Sequence, residues 1–412
     1  MQIVKFSYFD DFHCTGPECL DSCCKGWSIL LTKKEYLDCK KTDFSPKVKS
    51  VMENAFFRVR DKNLQNEYYY VGMKLNEKDE CPFLDSDCLC MIQKEKGEEA
   101  LSFTCSVFPR LIAAVGDEAC ICACSATCSH VVEMLMQHPE GLELVEEEYD
   151  GSNPYLNRKM YSSASTFKDW EGYPYYWVIK NAQIDILQNR SFTIPERMLI
   201  LGFFCQKAND YINKKEGDKI AGLANMLLDN EMCREIANSL KAPQSDQSAA
   251  TKSVDIIYKM KNSSRRVSDA STRLINDFDA LAKSIDLSSG MTDGAISMKF
   301  NYDKYVQNVS VYRNIENSRP YIIENLLVNL VFMQAPDKGI WFNYFTTVIF
   351  YNSLKLCIPA LLGENRTDRD LALAISRASK MVLNTRIADR GVLMSFVDHQ
   401  SYTLPHAAFL IS

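Results

Sequence analysis

The sequence predicts a mainly α-helical protein: a loop-rich metal-binding domain that contains most of the cysteines, followed by a helical domain. Two observations lead to this prediction. Thirteen of the 16 cysteines lie between Cys14 and Cys128, whereas buried structural cysteines would be scattered along the chain. After residue 128, apolar residues recur at the three- and four-residue spacing of amphipathic helices. We therefore expect a cysteine-rich domain at residues 1–145 and a helical domain at residues 146–412.

The first domain is expected to contain little regular structure. Turn-forming stretches recur in it, at "TGPE", "NEKDECP" and "LDSDC", as is typical of loops organised by a metal. A short strand or hairpin is predicted in "NEYYYVGMKL", which is rich in tyrosine and valine. A helix is then predicted from residue 129, where Val131, Val132, Leu135 and Met136 share one face.

The second domain is expected to be almost wholly helical. Thr193 before Pro195 and Glu196 is a helix start, and Thr367 before Asp370 is a capping arrangement. The polar stretch "KAPQSDQSAATKS", residues 241–253, is predicted to be an exposed linker. Helices are predicted at residues 193–217, 218–240, 254–285, 322–334, 341–356 and 371–383.

Composition limits the function classes. Charged residues make up 24% of the chain and hydrophobic residues 46%, the balance of a globular protein, and the net charge of −6 gives no reason to expect nucleic acid or a membrane surface as a partner. The first residues, "MQIVKFSYFDDFHC", lack the pattern of a secretory signal. The most apolar segment, residues 341–362, is interrupted by Asn343, Asn352 and Lys355. We therefore expect a cytoplasmic protein, in which thiols stay reduced and are available to metals.

Eight cysteines form a candidate ligand set. Thiolates are soft ligands that favour zinc or iron–sulfur clusters, and a cluster needs about four of them. Zinc modules usually carry two closely spaced cysteine pairs with a repeated short spacer, which this chain lacks, so the spacing favours iron–sulfur and leaves zinc as the alternative. Cys39, Cys88, Cys120 and Cys122 are expected to be buried, with the stretch "CICAC" forming a strand. The candidate ligands are Cys14, Cys19, Cys23, Cys24, Cys81, Cys90, Cys105 and Cys128.

These motifs resemble a known family. The stretches "FHCTGPECLDSCCKGWSILLTKKEY", "ECPFLDSDCLCMIQKEKGEEALSFTCSVFPR" and "TCSHVVEMLMQHPEGLEL" are similar to the flagellin lysine-N-methylase (FliB) family, whose amino-terminal part resembles small proteins with a CxxCxxxCC-type cluster motif. The likeness is strong over about the first 145 residues and weaker in "IPERMLILGFF" and "IENLLVNLVFMQ".

The resemblance implies a largely helical enzyme that methylates lysines of flagellin. The implied methyl donor is S-adenosylmethionine, and the implied cofactor is a [4Fe-4S] cluster. The family cysteines carry over to the eight given above, which are more than one cluster requires, so some would lie behind the ligands or bind a second metal. One departure concerns Cys128, because family members tend to read Ser-Cys-Pro-Glu where this chain has Thr-Cys-Ser-His. If Cys128 is not a ligand, His130 could take its place, although an ordinary structural histidine at a helix start is the simpler interpretation of His130.

Lysine methylation sets chemical requirements. The ammonium has no lone pair and an ordinary pKa of about 10.4, so the enzyme must desolvate the amine or supply a base. Aromatic side chains attract a sulfonium cation, and two tyrosine-rich stretches qualify, although packing is the favoured explanation for both. Arg110 is a candidate for binding the carboxylate of the donor, or a structural ion pair. The aromatic candidates are Tyr68, Tyr69, Tyr70, Tyr173, Tyr175, Tyr176 and Trp177.

Two familiar donor sites are missing from the sequence. It has neither the glycine-rich G-x-G-x-x-G turn nor the CxxxCxxC triplet of a radical enzyme. The donor is therefore expected in an unfamiliar pocket, where an open iron of the cluster would hold its amino-acid end. The competing functions are a metal-stabilised helical adaptor or chaperone and a redox protein that uses the cluster for electron transfer.

Overall fold

The computed structural model describes residues 1–59, 70–150, 170–241, 247–266, 272–292, 295–335, 339–363, 365–383 and 402–412. Helices dominate these residues, so the prediction of a mainly α-helical chain is confirmed. The helices of the first third are α1 (Lys33–Lys41), α2 (Pro46–Asn54), α3 (Met91–Lys96), α4 (Phe103–Val107) and α5 (Ser129–Met136). The later helices are α6 (Tyr176–Gln188), α7 (Ile194–Asn213), α8 (Lys219–Met226), α9 (Asn230–Leu240), α10 (Gln247–Arg266), α11 (Thr272–Ser284), α12 (Tyr302–Ser318), α13 (Pro320–Met333), α14 (Ile340–Leu361), α15 (Asp368–Leu383) and α16 (Leu404–Ile411).

The strands form three small sheets. They are β1 (Gln2–Phe6), β2 (Leu30–Leu31), β3 (Phe56–Arg58), β4 (Val71–Met73), β5 (Arg110–Val115), β6 (Ala119–Cys124), β7 (Leu144–Glu148), β8 (Ser288–Thr292) and β9 (Ala295–Lys299). The largest sheet has the order β5-β6-β1-β7, with β1 parallel to β6 and antiparallel to β7. The second has the order β2-β4-β3, and β8 and β9 form a hairpin.

The largest sheet packs into the same core as the later helices. All six residues of β6 are buried, and helix α13 lies against this strand. The Asn329 side chain on α13 donates to the Cys124 carbonyl at 2.9 Å, and the Asn325 side chain donates to the Leu135 carbonyl at 2.9 Å. Buried polar groups need such partners, and here they fix the sheet and α5 against the helices. The predicted domain boundary after residue 145 falls inside β7, and this core draws on both sides of it.

A second, smaller core holds the cysteine loops. It is built from α1, α2, α3 and the sheet β2-β4-β3, around buried side chains such as Leu31, Val48, Met73, Phe83 and Ile92. Two of the predicted ligands, Cys81 and Cys90, pack at its edge. The loops that carry the thiols are therefore supported by an apolar core of their own.

The predicted helix starts are confirmed. The Thr193 N–H donates to Glu196 at 2.9 Å at the start of α7, and the Thr367 N–H donates to Asp370 at 3.0 Å before α15. Each acidic residue thus satisfies a backbone donor that the helix leaves open. The apolar segment predicted from residue 341 is the long buried helix α14.

Two predictions about the helical part need correction. Residues 218–240 form two helices, α8 and α9, because the chain turns at 227–229. The predicted linker is wrong for residues 247–253, which begin α10 and bury Ala249, Ala250 and Ser253; residues 242–246 lie outside the described residues. The linker was predicted because this stretch contains few large apolar residues. Small residues such as alanine and serine can nevertheless form the buried face of a helix. Among the described helices, none is both long and apolar enough to cross a membrane.

Candidate metal centre

Cys24 and Cys81 are brought side by side by backbone pairing. Lys25 and Glu80 form an antiparallel bridge, and the Cys81 N–H donates to the Cys24 carbonyl at 2.7 Å. An ion pair of 2.8 Å between Lys25 Nζ and Glu80 Oε1 flanks the bridge. Two loops that are more than 50 residues apart in sequence therefore place their thiols together.

Cys90 and Cys105 reach the same place from two helix starts. Cys90 is the residue before α3, and its backbone pairs with Leu84 in the loop that follows Cys81. Cys105 lies in the single turn of α4, where its N–H donates to the Ser102 hydroxyl at 3.3 Å. The backbone N–H groups of Ile92 and Gln93 in α3 donate to the Cys90 thiol, and such hydrogen bonds favour the thiolate.

The four thiols lie within electrostatic range of one another. Burial, together with smaller contributions from the charges of Cys24, Cys105 and Cys90, raises the pKa of Cys81 to about 12. Burial also raises the pKa of Cys90, with added contributions from Cys24 and Asp85. The hydrogen bond from Cys23 lowers the pKa of Cys24 to about 7. Mutual repulsion of this kind is relieved when a cation binds the thiolates.

The four thiols are the soft donors that bind either an iron–sulfur cluster or a zinc ion. Within the described ranges, no three histidine, cysteine or acidic side chains come close enough together to hold a metal ion. A [4Fe-4S] cluster binds each thiolate to a different iron, so its four sulfur ligands stay farther apart than those around one zinc ion. The four thiols act on one another electrostatically but do not surround a single metal position, and this spacing is compatible with a [4Fe-4S] cluster.

The eight predicted ligands divide into two sets. Cys14 and Cys23 adjoin the four thiols, since the charges of Cys14 and Cys105 both act on Cys23. Cys19 and Cys128 lie apart from them as a pair: burial and the nearby Cys19 raise the pKa of Cys128 to about 11. Cys19 Sγ is 4.0 Å from the Ser129 hydroxyl oxygen. The structure thus brings together Cys14, Cys23, Cys24, Cys81, Cys90 and Cys105.

The cysteines predicted to be buried mostly are. Cys120 and Cys122 are fully buried on the predicted strand, β6, and Cys39 is partly buried. The prediction for Cys88 is wrong, because this residue is exposed in the polar turn between Asp85 and Leu89. The "LDSDC" stretch, already recognised as a turn former, was the available signal.

One acidic residue that the sequence reasoning missed fixes the first cysteine loop. Asp21, between Cys19 and Cys23, is buried and forms ion pairs with Arg273 on α11 and with Lys380 on α15. These contacts attach the cysteine loop to the helical part of the chain. The one local signal for the role of Asp21 is the presence of an acidic residue inside a cysteine motif.

The other predicted site residues make structural contacts. Arg110 donates to the Phe12 carbonyl at 2.9 Å, and its guanidinium carbon is 4.9 Å from the centre of the Phe12 ring. The His130 ring nitrogen is 3.2 Å from a Glu133 carboxylate oxygen, as expected of a histidine at a helix start. The role of Arg110 in binding a donor stays a prediction.

The aromatic candidates are placed mainly as packing groups. Tyr176 is buried and meets the Trp177 ring edge to face, with 5.0 Å between the ring centres, and Arg58 stacks on the ring of Tyr70 at 3.4 Å. Tyr173 and Tyr175 are partly buried against the larger core. Tyr68 and Tyr69 lie outside the described residues.

Comparison with known families identifies the helical part. The family model described as "FliB lysine N-methylase C-terminal domain" matches residues 180–410, more than half of the chain. The chain belongs to the FliB lysine N-methylase family. The predictions of this family and of a protein-lysine methyltransferase are thereby confirmed at the level of the family. The match includes the helical part, where the sequence resemblance was the weaker one.

Individual FliB relatives agree with the family match. The chain is 31% identical to the flagellar biosynthetic protein FliU of Salmonella muenchen over 167 residues, which are 40% of this chain and 94% of FliU. It is 34% identical to a lysine-N-methylase of Salmonella typhimurium and 32% identical to one of Salmonella choleraesuis, each over 149 residues. Those matches span 35% of this chain and 35% of each lysine-N-methylase. No solved structure matches the chain.

Proposed function

We propose that this protein transfers methyl groups from S-adenosylmethionine to lysine side chains of flagellin. The family match over residues 180–410 is the observation that carries the proposal. Two relatives are named as lysine-N-methylases, and a third is named as a flagellar biosynthetic protein, which favours a flagellar protein as the substrate. Methyl donation to an amine requires an activated methyl group, which a sulfonium donor provides.

We propose further that Cys24, Cys81, Cys90 and Cys105 bind a [4Fe-4S] cluster. Four soft ligands, within electrostatic range of one another and contributed by three loops, support this ligand set. When bound, such a cluster would anchor the three loops against one another. Cys14 and Cys23 lie beside this set, because the charges of Cys14, Cys24 and Cys105 all act on Cys23.

The chain has three tasks in the proposed reaction. It must bind the lysine side chain, exclude water from it, and remove its proton before the nitrogen attacks the methyl carbon in line with the sulfur. A helical domain with a deep core is suited to holding a thin, mostly apolar side chain in a water-poor cavity. Orientation of this kind can supply a large part of the rate enhancement.

The methylase proposal is tested by incubating anaerobically purified protein with flagellin and methyl-labelled donor. We expect the label on flagellin lysines when the products are analysed by mass spectrometry. Unlabelled flagellin, from a protein that binds flagellin tightly, would instead support the adaptor function. Flagellin from cells with and without the gene provides the same comparison in vivo.

The cluster proposal is tested separately, by iron, sulfide and zinc analysis together with visible absorption. We expect a brown protein that contains iron and sulfide, and we expect Cys24→Ser to lose both. The matched control is Cys88→Ser, which removes an exposed thiol in a neighbouring turn. Colourless protein with one equivalent of zinc would show that the thiols form a zinc site.

A further inference from the structure

A half-open pocket of about 590 Å³ lies between helices α6, α8 and α9 of the helical domain. Its floor is apolar and includes the buried side chains of Ala182, Ile200 and Leu227. Two further lining side chains are exposed, Val178 to 37% and Leu228 to 69%. Only six large apolar side chains of the described residues are exposed, so two of the six border this pocket. An exposed apolar rim around a pocket is typical of an interaction site.

Asp185 on α6 is the charged side chain of this pocket. Among the described residues, the lining contains no lysine, arginine or histidine and no second carboxylate. Burial raises the pKa of the Asp185 carboxyl, and neither a neighbouring charge nor a hydrogen bond contributes to that shift. Within the described part of the chain, Asp185 therefore has no counter-ion. A carboxylate beside an apolar surface is partly desolvated, and a bound cation offsets that cost.

Two helix ends add negative potential to the pocket. Helix α6 ends at Gln188 and α8 ends at Met226, and residues at or next to both ends line the pocket. The carboxyl end of a helix favours a cation, yet neither helix has a basic residue in its last turn, and α6 has Asp185 there. The start of α9 is also close, but its Glu231 N–H already donates to the Asp229 carboxylate at 2.8 Å. The pocket therefore favours a cationic ligand over an anionic one.

A lysine side chain fits both the apolar and the charged part of the lining. Its methylene stem can pack on the apolar floor while its ammonium reaches the Asp185 carboxylate. The ammonium has three N–H donors, and the amide oxygen of Asn181, one helical turn before Asp185, can accept one of them. A protein that presents this lysine can also place an apolar neighbour on Leu228, whereas a metal ion would use none of the apolar surface.

We propose that this pocket docks a lysine side chain of the protein substrate, with Asp185 pairing with its ammonium and with Val178 and Leu228 packing on apolar residues beside it. This inference rests on the lysine-methylase function proposed above, because that function requires a partner protein that presents lysines. The pocket binds the substrate protein and takes no part in the transfer of the methyl group. Loss of the pocket should therefore raise KM for the protein substrate and leave kcat unchanged.

The kinetic test compares Asp185→Asn with Asp210→Asn. Both substitutions remove one carboxylate from an exposed helix position and change the net charge equally, but Asp210, on α7, is not part of the pocket lining. KM for flagellin should rise about threefold to tenfold in D185N, while kcat and the midpoint of thermal unfolding stay at the wild-type values. D210N should match wild type in all three measurements. An unchanged KM in D185N would overturn the inference.

Binding measurements make the test independent of catalysis. Flagellin is titrated into each protein by calorimetry without a methyl donor, and both D185N and Leu228→Ser should bind it about threefold to tenfold more weakly than wild type and D210N do. The probes for the pocket itself are hexylammonium, which has an apolar stem and an ammonium, and the neutral 1-hexanol. Wild type should bind hexylammonium more tightly than hexanol and should show hydrogen-exchange protection of residues 178–189. This arm needs no variant, so it decides the matter if D185N does not fold.

The outcomes separate this inference from the function on which it rests. Flagellin that binds through Asp185 and Leu228 but is never labelled would overturn the methylase proposal and leave the docking pocket standing. Flagellin that is labelled with the same KM by wild type and D185N would overturn the docking pocket and leave the methylase proposal standing. Equal binding of hexylammonium and hexanol by wild type would show that the pocket does not prefer a cation, and it would overturn the inference as well.

Discussion

Lys380 Nζ lies 2.6 Å from Asp21 Oδ2 and joins the first cysteine loop to helix α15 across 359 positions of sequence. The Asp21 side chain is fully buried, and Arg273 on α11 shares it. A buried carboxylate is held in place only when its charge is compensated, so these two cations fix the position of the loop that carries Cys19, Cys23 and Cys24. The geometry of the thiols therefore depends on helices that are distant in sequence.

Asp21→Asn should lower both stability and metal content. Asn leaves two partly exposed cations, Arg273 and Lys380, without their buried counter-ion, so the cost should lie below the about 3–5 kcal/mol typical of a fully buried pair and above the about 0–1 kcal/mol of an exposed one. We expect a lower unfolding midpoint in denaturant and a lower ratio of iron to protein after anaerobic purification.

The matched control is Asp43→Asn, which breaks the exposed ion pair between Lys49 and Asp43 near the same core. Exposed pairs contribute about 0–1 kcal/mol, so this variant should resemble wild type in both measurements. Equal iron content in D21N and wild type would show that the buried pair does not position the thiols.

Serine substitutions should sort the eight cysteines into the two sets that the structure distinguishes. Cys81→Ser and Cys90→Ser should lose most of the iron and the visible absorption, because both thiols lie in the four-thiol group. Cys19→Ser and Cys128→Ser should retain most of it, because these two thiols form a pair of their own. Iron and sulfide analysis of all four variants provides the measurement. If C128S lost as much iron as C81S, the division into two sets would be wrong.

Local signals predicted the helices well. Thr193 with Glu196 and Thr367 with Asp370 mark starts that the structure confirms, because capping depends on residues within one turn of each other. The largest sheet was not predictable in this way. Its central pairing joins Ile3 to Cys120, and a parallel partner so far along the chain leaves no local pattern.

The candidate site was predicted by residue type and only partly by arrangement. The cysteine motif identified the ligand candidates, but Cys128 and Cys105 look alike in sequence and separate only in the folded chain. The burial of Glu316 had no local signal either, because one of its hydrogen-bond donors, the Tyr351 hydroxyl, lies on another helix. Long-range packing supplies this information, and it is not encoded in any short motif.

Lys180→Met should change how stability depends on pH. Burial lowers the pKa of Lys180 to about 7, and its Nζ donates to the carbonyls of Val331 and, at 2.8 Å, Gln334. An unfolded lysine has a pKa of about 10.4, so between about pH 7 and 10.4 the unfolded chain binds a proton that the folded chain does not. As pH rises through this window, the free energy of unfolding of wild type should therefore increase relative to that of K180M.

The measurement is urea unfolding of wild type and K180M at several pH values between about 7 and 10. One pKa unit corresponds to about 1.36 kcal/mol, so the difference between the two proteins should change by a few kcal/mol over the window. Lys214→Met, at an exposed position after α7, is the control and should run parallel to wild type. A wild-type curve that ran parallel to K180M would mean that Lys180 stays charged in the folded protein.

Glu324→Gln should destabilise the helical domain more than any exposed substitution. Glu324 is 1% exposed and binds Arg190 at 2.8 Å and Arg197 at 2.6 Å, and Arg197 is itself buried. Gln offers one acceptor and no charge, so the buried guanidinium of Arg197 loses its counter-ion; about 3–5 kcal/mol is the usual cost. Asp286→Asn, which breaks an exposed pair with Lys304 at 2.8 Å, should cost at most about 1 kcal/mol. Chemical unfolding of both variants measures the two costs, and similar midpoints would show that Glu324 contributes no more than a surface charge.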